Sequence, residues 1–179
     1  MQISTSRFGI VDVADEKLLR IENGLIGFPG REQFVLLEHR PGSSLHWLQS
    51  ADDPGLAFVV ANPLNFFPDY VVDVSEAELE GLELSNLDDL VLLVVLTIRD
   101  GGHEVTANMI GPILLNASSL RGRQLVLDRS DLSTRQVIVS DEIQNGFDLA
   151  APGNEGSEVE IGLEVLAGGN AAPSFERAR

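Results

Sequence analysis

The sequence contains no cysteine, which excludes disulfide bonds, thiolate nucleophiles and cysteine-based metal sites. Stability must therefore come from an apolar core, and 44% hydrophobic residues are sufficient to build one. The longest apolar run, residues 90–96, is far shorter than the roughly 20 residues that a membrane-spanning helix requires. The N-terminal residues lack the basic and apolar regions of a signal peptide, so we expect a cytoplasmic protein.

Basic residues are scarce and unevenly distributed. The chain of 179 residues has a formal net charge of -16 at pH 7, and Lys17 is its single lysine. No Lys or Arg occurs between Arg40 and Arg99, a stretch that we call the basic-free window. Binding to nucleic acid or to an anionic membrane requires Lys and Arg to meet the phosphates, so the composition disfavours both.

The basic-free window is rich in acidic residues, most of them in its second half. That half contains Asp69, Asp73, Glu76, Glu78, Glu80, Glu83, Asp88 and Asp89. Such residues can simply keep a surface soluble, but solvated surfaces normally mix both signs of charge. The absence of basic residues therefore favours a binding site for a positively charged partner.

Short apolar segments bounded by Gly, Pro, Asp or Ser predict a mostly β protein. The predicted strands include residues 18–21, 34–37, 45–48, 57–61, 70–74, 90–98, 105–110, 113–116 and 124–127. The β-branched run 90–98 favours a strand that is buried on both faces. We expect a small antiparallel β-barrel-like single domain with one or two short helices.

One short helix is predicted after Ser75, which precedes Glu78 at the spacing of a capping box. Gly81 limits the length of this helix. A second Ser-x-x-Asp pattern, from Ser85 to Asp88, predicts a further helical turn before the long strand.

The composition changes after about residue 140, where Gly, Ala, Asn and Glu become common. We divide the chain into a barrel-like domain of residues 1–140 and an acidic, Gly- and Ala-rich tail of residues 141–179, which we predict to be flexible. Residues 158–166 of the tail alternate between apolar and mostly acidic side chains. They form either an edge strand on the domain or a segment that is disordered or orders on a partner.

Recognised catalytic and metal-binding motifs are missing from the sequence. None of the three histidines has metal-ligand spacing, and neither G-x-S-x-G nor a phosphate-binding loop occurs. We therefore expect no enzymatic activity, metal or cofactor. The carboxylate pairs Asp52/Asp53 and Asp88/Asp89 leave one alternative open, a β-barrel that binds or converts a small ligand.

Three segments occur in a characteristic order. The first is NGLIGFPG at residues 23–30, and the second is WLQS at residues 47–50. The third is TANMIGPILLN at residues 106–116, followed by RGRQLVL at residues 121–127. Together, over roughly residues 3–138, they resemble the FliW family of flagellar assembly factors.

The resemblance implies a small β-barrel-like domain without enzymatic activity and with two protein partners. One partner is flagellin, held as a monomer before export. The other is CsrA, a basic RNA-binding dimer that represses translation of flagellin mRNA. In this family CsrA is bound away from its RNA contacts, so the antagonism is allosteric. An acidic mimic of nucleic acid, which would compete with RNA for the same CsrA surface, is the alternative mechanism.

With CsrA as the basic partner, the predicted contacts lie in the basic-free window. They are Asp69, Tyr70, Asp73, Glu76, Glu78, Glu80 and Glu83. For either partner we add Phe66, Phe67 and Asn108. Aromatic side chains are favoured anchors at interface centres, but Phe66, Phe67 and Tyr70 can equally fold back into the core. Asn108 and Asn116 are polar residues in apolar runs, and we expect both to bond to backbone in turns.

Overall fold

The structure is a computed structural model that describes residues 1–139 and the backbone of residues 175–177. These residues form strands and one short α-helix. The strands are β1 (Gln2–Thr5), β2 (Gly9–Asp12), β3 (Leu19–Ile21), β4 (Gln33–Glu38), β5 (Leu45–Ser50), β6 (Ala57–Ala61), β7 (Val72–Val74), β8 (Leu90–Arg99), β9 (Glu104–Ala107), β10 (Ile113–Asn116), β11 (Arg121–Gln124), β12 (Gln136–Val137) and β13 (Phe175–Arg177). The helix is α1 (Glu76–Glu80).

Seven strands close into a barrel. The hydrogen-bonded order is β8, β10, β11, β3, β4, β5, β6 and then β8 again. Closure is possible because β8 is 10 residues long, so that residues 90–93 pair with β10 while residues 94–96 pair with β6. Every pairing in the ring is antiparallel except the short parallel contact between β11 and β3. The predicted fold class is confirmed, with one parallel pairing that the sequence did not indicate.

The interior of the barrel is filled by side chains. Alternation along each strand sends one set of apolar residues inward. The inward set is Leu19, Ile21, Leu25, Phe34, Leu36, Leu48, Val60, Val91, Leu93, Ile113 and Leu115. On β11 the inward position is Gly122, where a Cβ would collide with the side chain of Leu115. A filled interior counts against a barrel that holds a small ligand.

The outer face of the barrel is buried as well. Val35, Leu37 and Trp47 belong to a second apolar cluster outside the ring. The β1–β2 hairpin and the segment between β6 and β8 cover this face. Their buried side chains in the cluster include Ile3, Phe8, Val11, Tyr70, Val72, Val74 and Leu82. Burial on both faces explains the continuous apolar run of β8, as predicted for residues 90–98.

The predicted capping box is present at α1. The Ser75 hydroxyl accepts from the Glu78 backbone N–H at 3.3 Å, and the Glu78 carboxylate accepts from the Ser75 N–H at 2.7 Å. The further helical turn predicted before the long strand is present as a 3-10 turn, Leu87–Asp89, and it is capped by Asn86 rather than by Ser85. Within the described residues, no helix is long and apolar enough to cross a membrane.

Some predicted strands differ from the structure in their bounds, among them 70–74, which begins at residue 72, and 105–110, which ends at residue 107. The predicted strand 124–127 begins earlier, as β11, although Leu125 and Leu127 still donate backbone hydrogen bonds to Pro112 and Ile110 at 2.8 Å. The predicted edge strand 158–166 lies outside the described residues, so the proposed division at residue 140 stays a prediction. Strand β13, which no sequence pattern indicated, pairs with β7.

Candidate functional site

The acidic part of the basic-free window lies in the segment between β6 and β8, on the outside of the barrel. On β7, Val72 and Val74 are 1% and 2% exposed, whereas Asp73 between them is exposed. The period of two along a strand thus anchors β7 by its valines and turns Asp73 to solvent.

The predicted acidic residues divide into two groups. Glu78 is engaged at the start of α1, where its carboxylate accepts from the Ser75 hydroxyl at 2.6 Å. Glu83 forms an ion pair with Arg121 at 3.1 Å. The other four predicted acids are all exposed, and we call them the acidic face. They are Asp69, Asp73, Glu76 and Glu80.

The basic-free window of the sequence is not free of basic residues in space. Arg121 reaches Glu83, and Arg123 pairs with Glu22 while donating to the Ala77 carbonyl oxygen at 3.4 Å. Both arginines lie on β11, which the fold brings beside this segment. The acidic field is therefore partly neutralised around α1, and charge alone is a weaker argument for a partner than the sequence suggested.

A surface cleft of about 330 Å³ opens beside β7. We call it the β7 cleft. It is lined by Phe66, Phe67, Pro68, Asp69, Tyr70, Val71, Met109, Arg129, Asp131, Leu132 and Gln136. Aromatic and aliphatic side chains dominate this lining, and charged residues are interspersed with them. An apolar centre with charged residues around it is the usual anatomy of a protein–protein contact.

Tyr70 holds the cleft together rather than standing exposed in it. Its side chain is buried, and its hydroxyl donates to the Met109 carbonyl oxygen at 2.6 Å. Burial raises the pKa of Tyr70 above its ordinary value, against the opposing charge of Arg129. The side chain of Tyr70 therefore folds back into the core, which was one of the two positions considered for it from the sequence. Phe66 and Phe67 are half-buried, packing on the core while they line the cleft.

Asn108 lies in the turn between β9 and β10, as predicted. Its side-chain oxygen accepts from the Gly111 N–H at 3.1 Å, and the next residue, Met109, lines the β7 cleft. Asn108 itself is half-buried and is not part of the lining. Its position makes it a support for the cleft wall.

Asn116 fixes the acidic segment to the barrel. Its amide nitrogen donates to the carbonyl oxygens of Leu82 and Glu83 at 2.9 and 3.1 Å, and its oxygen accepts from the Ser118 N–H at 2.9 Å. The expected backbone role is confirmed. Asn116 is 1% exposed, so these hydrogen bonds are shielded from water. They connect β10 directly to residues 82 and 83, which follow α1.

Arg129 and Asp131 form a charged part of the cleft lining that the sequence did not predict. The guanidinium meets the Asp131 carboxylate at 2.6 Å and donates to the Val71 carbonyl oxygen at 3.1 Å. The hydrogen bond between Arg129 and Asp131 lowers the pKa of the Asp131 carboxyl group and raises the pKa of the Arg129 guanidinium. Only the Arg-x-Asp spacing was visible in sequence, and nothing there connects it to residues near Val71.

The carboxylate pairs that motivated the small-ligand alternative support local structure. The Asp52 carboxylate accepts from the backbone N–H groups of Glu32 and Gln33 at 2.8 Å each. Asp53 accepts from the Gly55 N–H at 3.0 Å, and Asp88 bonds to the side chain of Asn86 at 3.2 Å. In the part of the chain that the structure describes, no group of three or more His, Asp or Glu residues is placed to hold a metal ion.

Comparison with known proteins agrees with this architecture. A family model described as FliW protein matches residues 2–138. The flagellar assembly factor FliW of Magnetococcus marinus is 31% identical over 163 residues, covering 90% of this chain and 99% of that protein. FliW of Syntrophomonas wolfei is 34% identical over 138 residues, covering 77% of this chain and 88% of that protein.

A solved structure extends the comparison to the fold. A crystal structure of the flagellar assembly factor FliW matches with a TM-score of 0.72 at 31% sequence identity, and the match covers 79% of this chain and 99% of that one. The resemblance read from the three sequence segments is thereby confirmed, and the chain belongs to the FliW family of flagellar assembly factors.

Proposed function

We propose that this flagellar assembly factor works by binding two proteins in turn. Flagellin is held before export, and CsrA is bound once flagellin has left, which relieves repression of flagellin mRNA. One observation carries this proposal: Asp69 and the aromatic pair Phe66 and Phe67 line the same cleft, so charge and apolar surface meet at one place. The proposed role involves no catalytic step and no cofactor.

The acidic face is the surface that we assign to CsrA. A basic partner is attracted by the exposed carboxylates of Asp69, Asp73, Glu76 and Glu80. Such charges chiefly speed the encounter and select the partner, and they contribute less to the final affinity. Glu78 caps the start of α1 and Glu83 pairs with Arg121, and we give these two residues supporting roles.

The β7 cleft is the anchor that we assign to an apolar side chain of a partner. Phe66 and Phe67 are half-buried and contribute aromatic surface, while Met109 contributes a flexible thioether side chain. An amphipathic helix can insert one or two apolar residues into a cleft of this kind. Flagellin, recognised through its terminal helical regions, fits this chemistry. Tyr70 and Asn108 then act by holding the cleft in shape.

The proposed antagonism of CsrA is allosteric. It predicts that CsrA can carry RNA and this protein at the same time in a transient ternary complex. An acidic mimic of nucleic acid predicts strict competition for one surface. Adding RNA to a preformed complex, and following both ligands by fluorescence anisotropy, separates the two mechanisms.

The decisive test is direct mixing of the full chain with purified CsrA and, separately, with monomeric flagellin. We expect a complex with each, and the CsrA complex should weaken steeply as salt rises because its charges are exposed. Isothermal titration calorimetry at low and physiological salt measures both. Failure to form either complex at low salt would overturn the proposal.

A further inference from the structure

Exposed apolar side chains lie at a tight turn within the first sequence segment, residues 23–30. Ile26 is 60% exposed and Phe28 is 38% exposed. The Phe28 backbone N–H donates to the Leu25 carbonyl oxygen at 2.8 Å, which closes the turn with Ile26 at its tip. Leu25 is buried in the barrel interior, and the Phe28 ring meets the ring of Phe58 edge-on with centroids 5.1 Å apart. The turn is therefore anchored on both sides of Ile26.

Gln124, the last residue of β11, connects this turn to a further exposed apolar side chain. Its side-chain oxygen accepts from the Ile26 N–H at 2.8 Å, and its amide nitrogen donates to the Gly111 carbonyl oxygen at 3.0 Å. Alternate residues of an extended segment point to the same side, so Val126 projects on the side of Gln124. Val126 is 70% exposed, while the residues before and after it are buried. Gln124 thus brings Ile26 and Val126 to one surface.

Hydrogen bonds continue from this surface to the β7 cleft. The Gly111 N–H donates to the Asn108 side chain at 3.1 Å, and the residue after Asn108, Met109, lines the cleft. The Met109 carbonyl oxygen accepts from the Tyr70 hydroxyl at 2.6 Å. The tip of the turn and the wall of the cleft are therefore held in a fixed relation to each other through Gly111.

The segments that build this surface carry no charge. Asp, Glu, Lys, Arg and His are absent from residues 23–30, 105–120 and 124–127, although 22% of the chain is charged. A partner here gains from burying apolar area. A second copy of the chain would bring a formal net charge of -16 towards another -16, which disfavours self-association. The apolar face of an amphipathic helix suits the surface better, since its apolar residues recur every three or four positions.

We propose that Ile26, Phe28 and Val126 extend the β7 cleft into one longer docking surface for the apolar face of a terminal helix of flagellin. We call these three residues the apolar extension. The inference rests on the proposed binding of flagellin and adds a second contact to it. The cleft alone admits one or two apolar side chains, whereas a helix that also meets the apolar extension is held at two places. The acidic face takes no part in this contact.

A variant that leaves the net charge unchanged tests the contact. Ile26→Ser/Val126→Ser alters two exposed side chains, so the fold should be unaffected. We expect monomeric flagellin to bind about tenfold or more weakly, and CsrA to bind as before. Ile10→Ser/Leu87→Ser is the matched control, because it removes two other exposed apolar side chains. Equal flagellin affinity of the two variants overturns the proposal, and an equal loss of CsrA binding overturns the assignment of the surface to flagellin.

The lack of cysteine allows the covered surface to be located directly. The single variants Ile26→Cys, Val126→Cys and Leu87→Cys each present one thiol to a maleimide reagent. Saturating flagellin should slow labelling at residues 26 and 126 by at least about fivefold, because interface centres exclude water. Labelling at residue 87 should not change, since this residue precedes β8 at the opposite end of β10 from Gly111. Unchanged labelling at residues 26 and 126 overturns the proposal.

Labelling without flagellin tests the other occupants. The thiols at residues 26 and 126 should then react as fast as the thiol at residue 87. Slow labelling that does not depend on protein concentration would mean that another segment of the chain covers the surface. Slow labelling that becomes slower with concentration would mean that a second copy covers it, and either result overturns the proposal.

The outcome for flagellin also separates this inference from the proposed function. If flagellin binds neither the unchanged chain nor any variant, the proposed binding of flagellin and the docking surface both fail. If the unchanged chain and Ile26→Ser/Val126→Ser bind flagellin equally well, the proposed function stands and the apolar extension has no part in it.

Discussion

Arg129 donates a hydrogen bond from its guanidinium to the backbone carbonyl oxygen of Val71 at 3.1 Å, across 58 residues of sequence. The same side chain is held by Asp131 at 2.6 Å. The residue that immediately precedes β7 is thus fixed by an arginine from a distant loop. This contact therefore helps to position the acidic face, together with the buried valines of β7.

Replacing Arg129 by Met should loosen β7 while the barrel stays folded. The Val71 carbonyl oxygen loses its donor, so the amides of residues 71–74 should exchange faster with deuterium, and CsrA should bind more slowly. Hydrogen exchange with mass spectrometry measures the first effect, and surface plasmon resonance the second.

Arg135 offers the matched control, since it is an exposed arginine from the same region of the chain. Arg135→Met should leave exchange at residues 71–74 unchanged. If Arg129→Met behaves like Arg135→Met, the contact with Val71 does not position β7.

Tyr70→Phe should lower the free energy of unfolding by about 1–3 kcal/mol, because the buried Met109 carbonyl oxygen loses the donor that satisfies it. Urea denaturation followed by the fluorescence of the single tryptophan measures this change. A loss below a few tenths of a kcal/mol would mean that water replaces the hydroxyl.

The raised pKa of Tyr70 gives the chain a distinct alkaline behaviour. The unfolded phenol ionises near the ordinary tyrosine pKa of 10.0, whereas burial raises the pKa of the folded phenol and keeps it protonated. The folded state therefore binds more protons above pH 10, so the free energy of unfolding should fall as pH rises through that range. Because Tyr70 is the only tyrosine, tyrosinate absorbance reports this directly. Tyr70→Phe should remove this contribution, and a folded chain that titrates like the unfolded one would contradict it.

Reversing the acidic face with Asp69→Lys, Asp73→Lys and Glu80→Lys should slow association with CsrA by about tenfold or more at low salt. Dissociation should change less, and binding of flagellin through apolar contacts should be largely preserved. Stopped-flow fluorescence over a range of salt concentrations measures the rates.

Asp12→Lys combined with Glu16→Lys is the control, since both residues are exposed and lie at the β1–β2 side of the chain. This variant raises the net charge by 4, against 6 for the variant of the acidic face, and leaves the acidic face untouched. Equal slowing by both variants would attribute the effect to net charge and move the CsrA site elsewhere.

Gly122→Ala should destabilise the barrel by about 1–3 kcal/mol, because the new methyl group enters a filled interior against Leu115. Gly55→Ala is the matched control, as a Cβ there meets its nearest neighbour at 3.5 Å, an ordinary contact. Thermal unfolding of both variants measures the difference. Equal stability of the two would mean that the interior has room for another methyl group.

The sequence predicted best what is decided locally. Residues 57–61 and 113–116 are strands with the predicted bounds, because their apolar runs are bounded by Pro, Asn or Gly. The Ser75 capping box was readable for the same reason, since both partners lie within one helical turn.

Contacts between distant segments could not be read in this way. The parallel pairing of β11 with β3 places Arg123 next to Glu22, which lies 101 residues away in sequence (123−22). Arg121, on the same strand, meets Glu83, which lies 38 residues away (121−83). A count of charges along the sequence considers the basic-free window alone. In the folded chain, arginines from outside the window lie beside it. The pairing of β13 was hidden similarly, because a strand of three residues has no detectable period.

Strand β8 takes part both in the barrel and in a hairpin with β9. Its first residues close the barrel against β10, and residues 96–99 form a hairpin with β9, whose end leads into the loop that carries Met109. One wall of the β7 cleft is therefore continuous with the barrel seam, and the two should melt as a single cooperative unit. A partner that binds in the cleft should therefore also stabilise the barrel. The bound protein should have a higher free energy of unfolding and resist proteolysis.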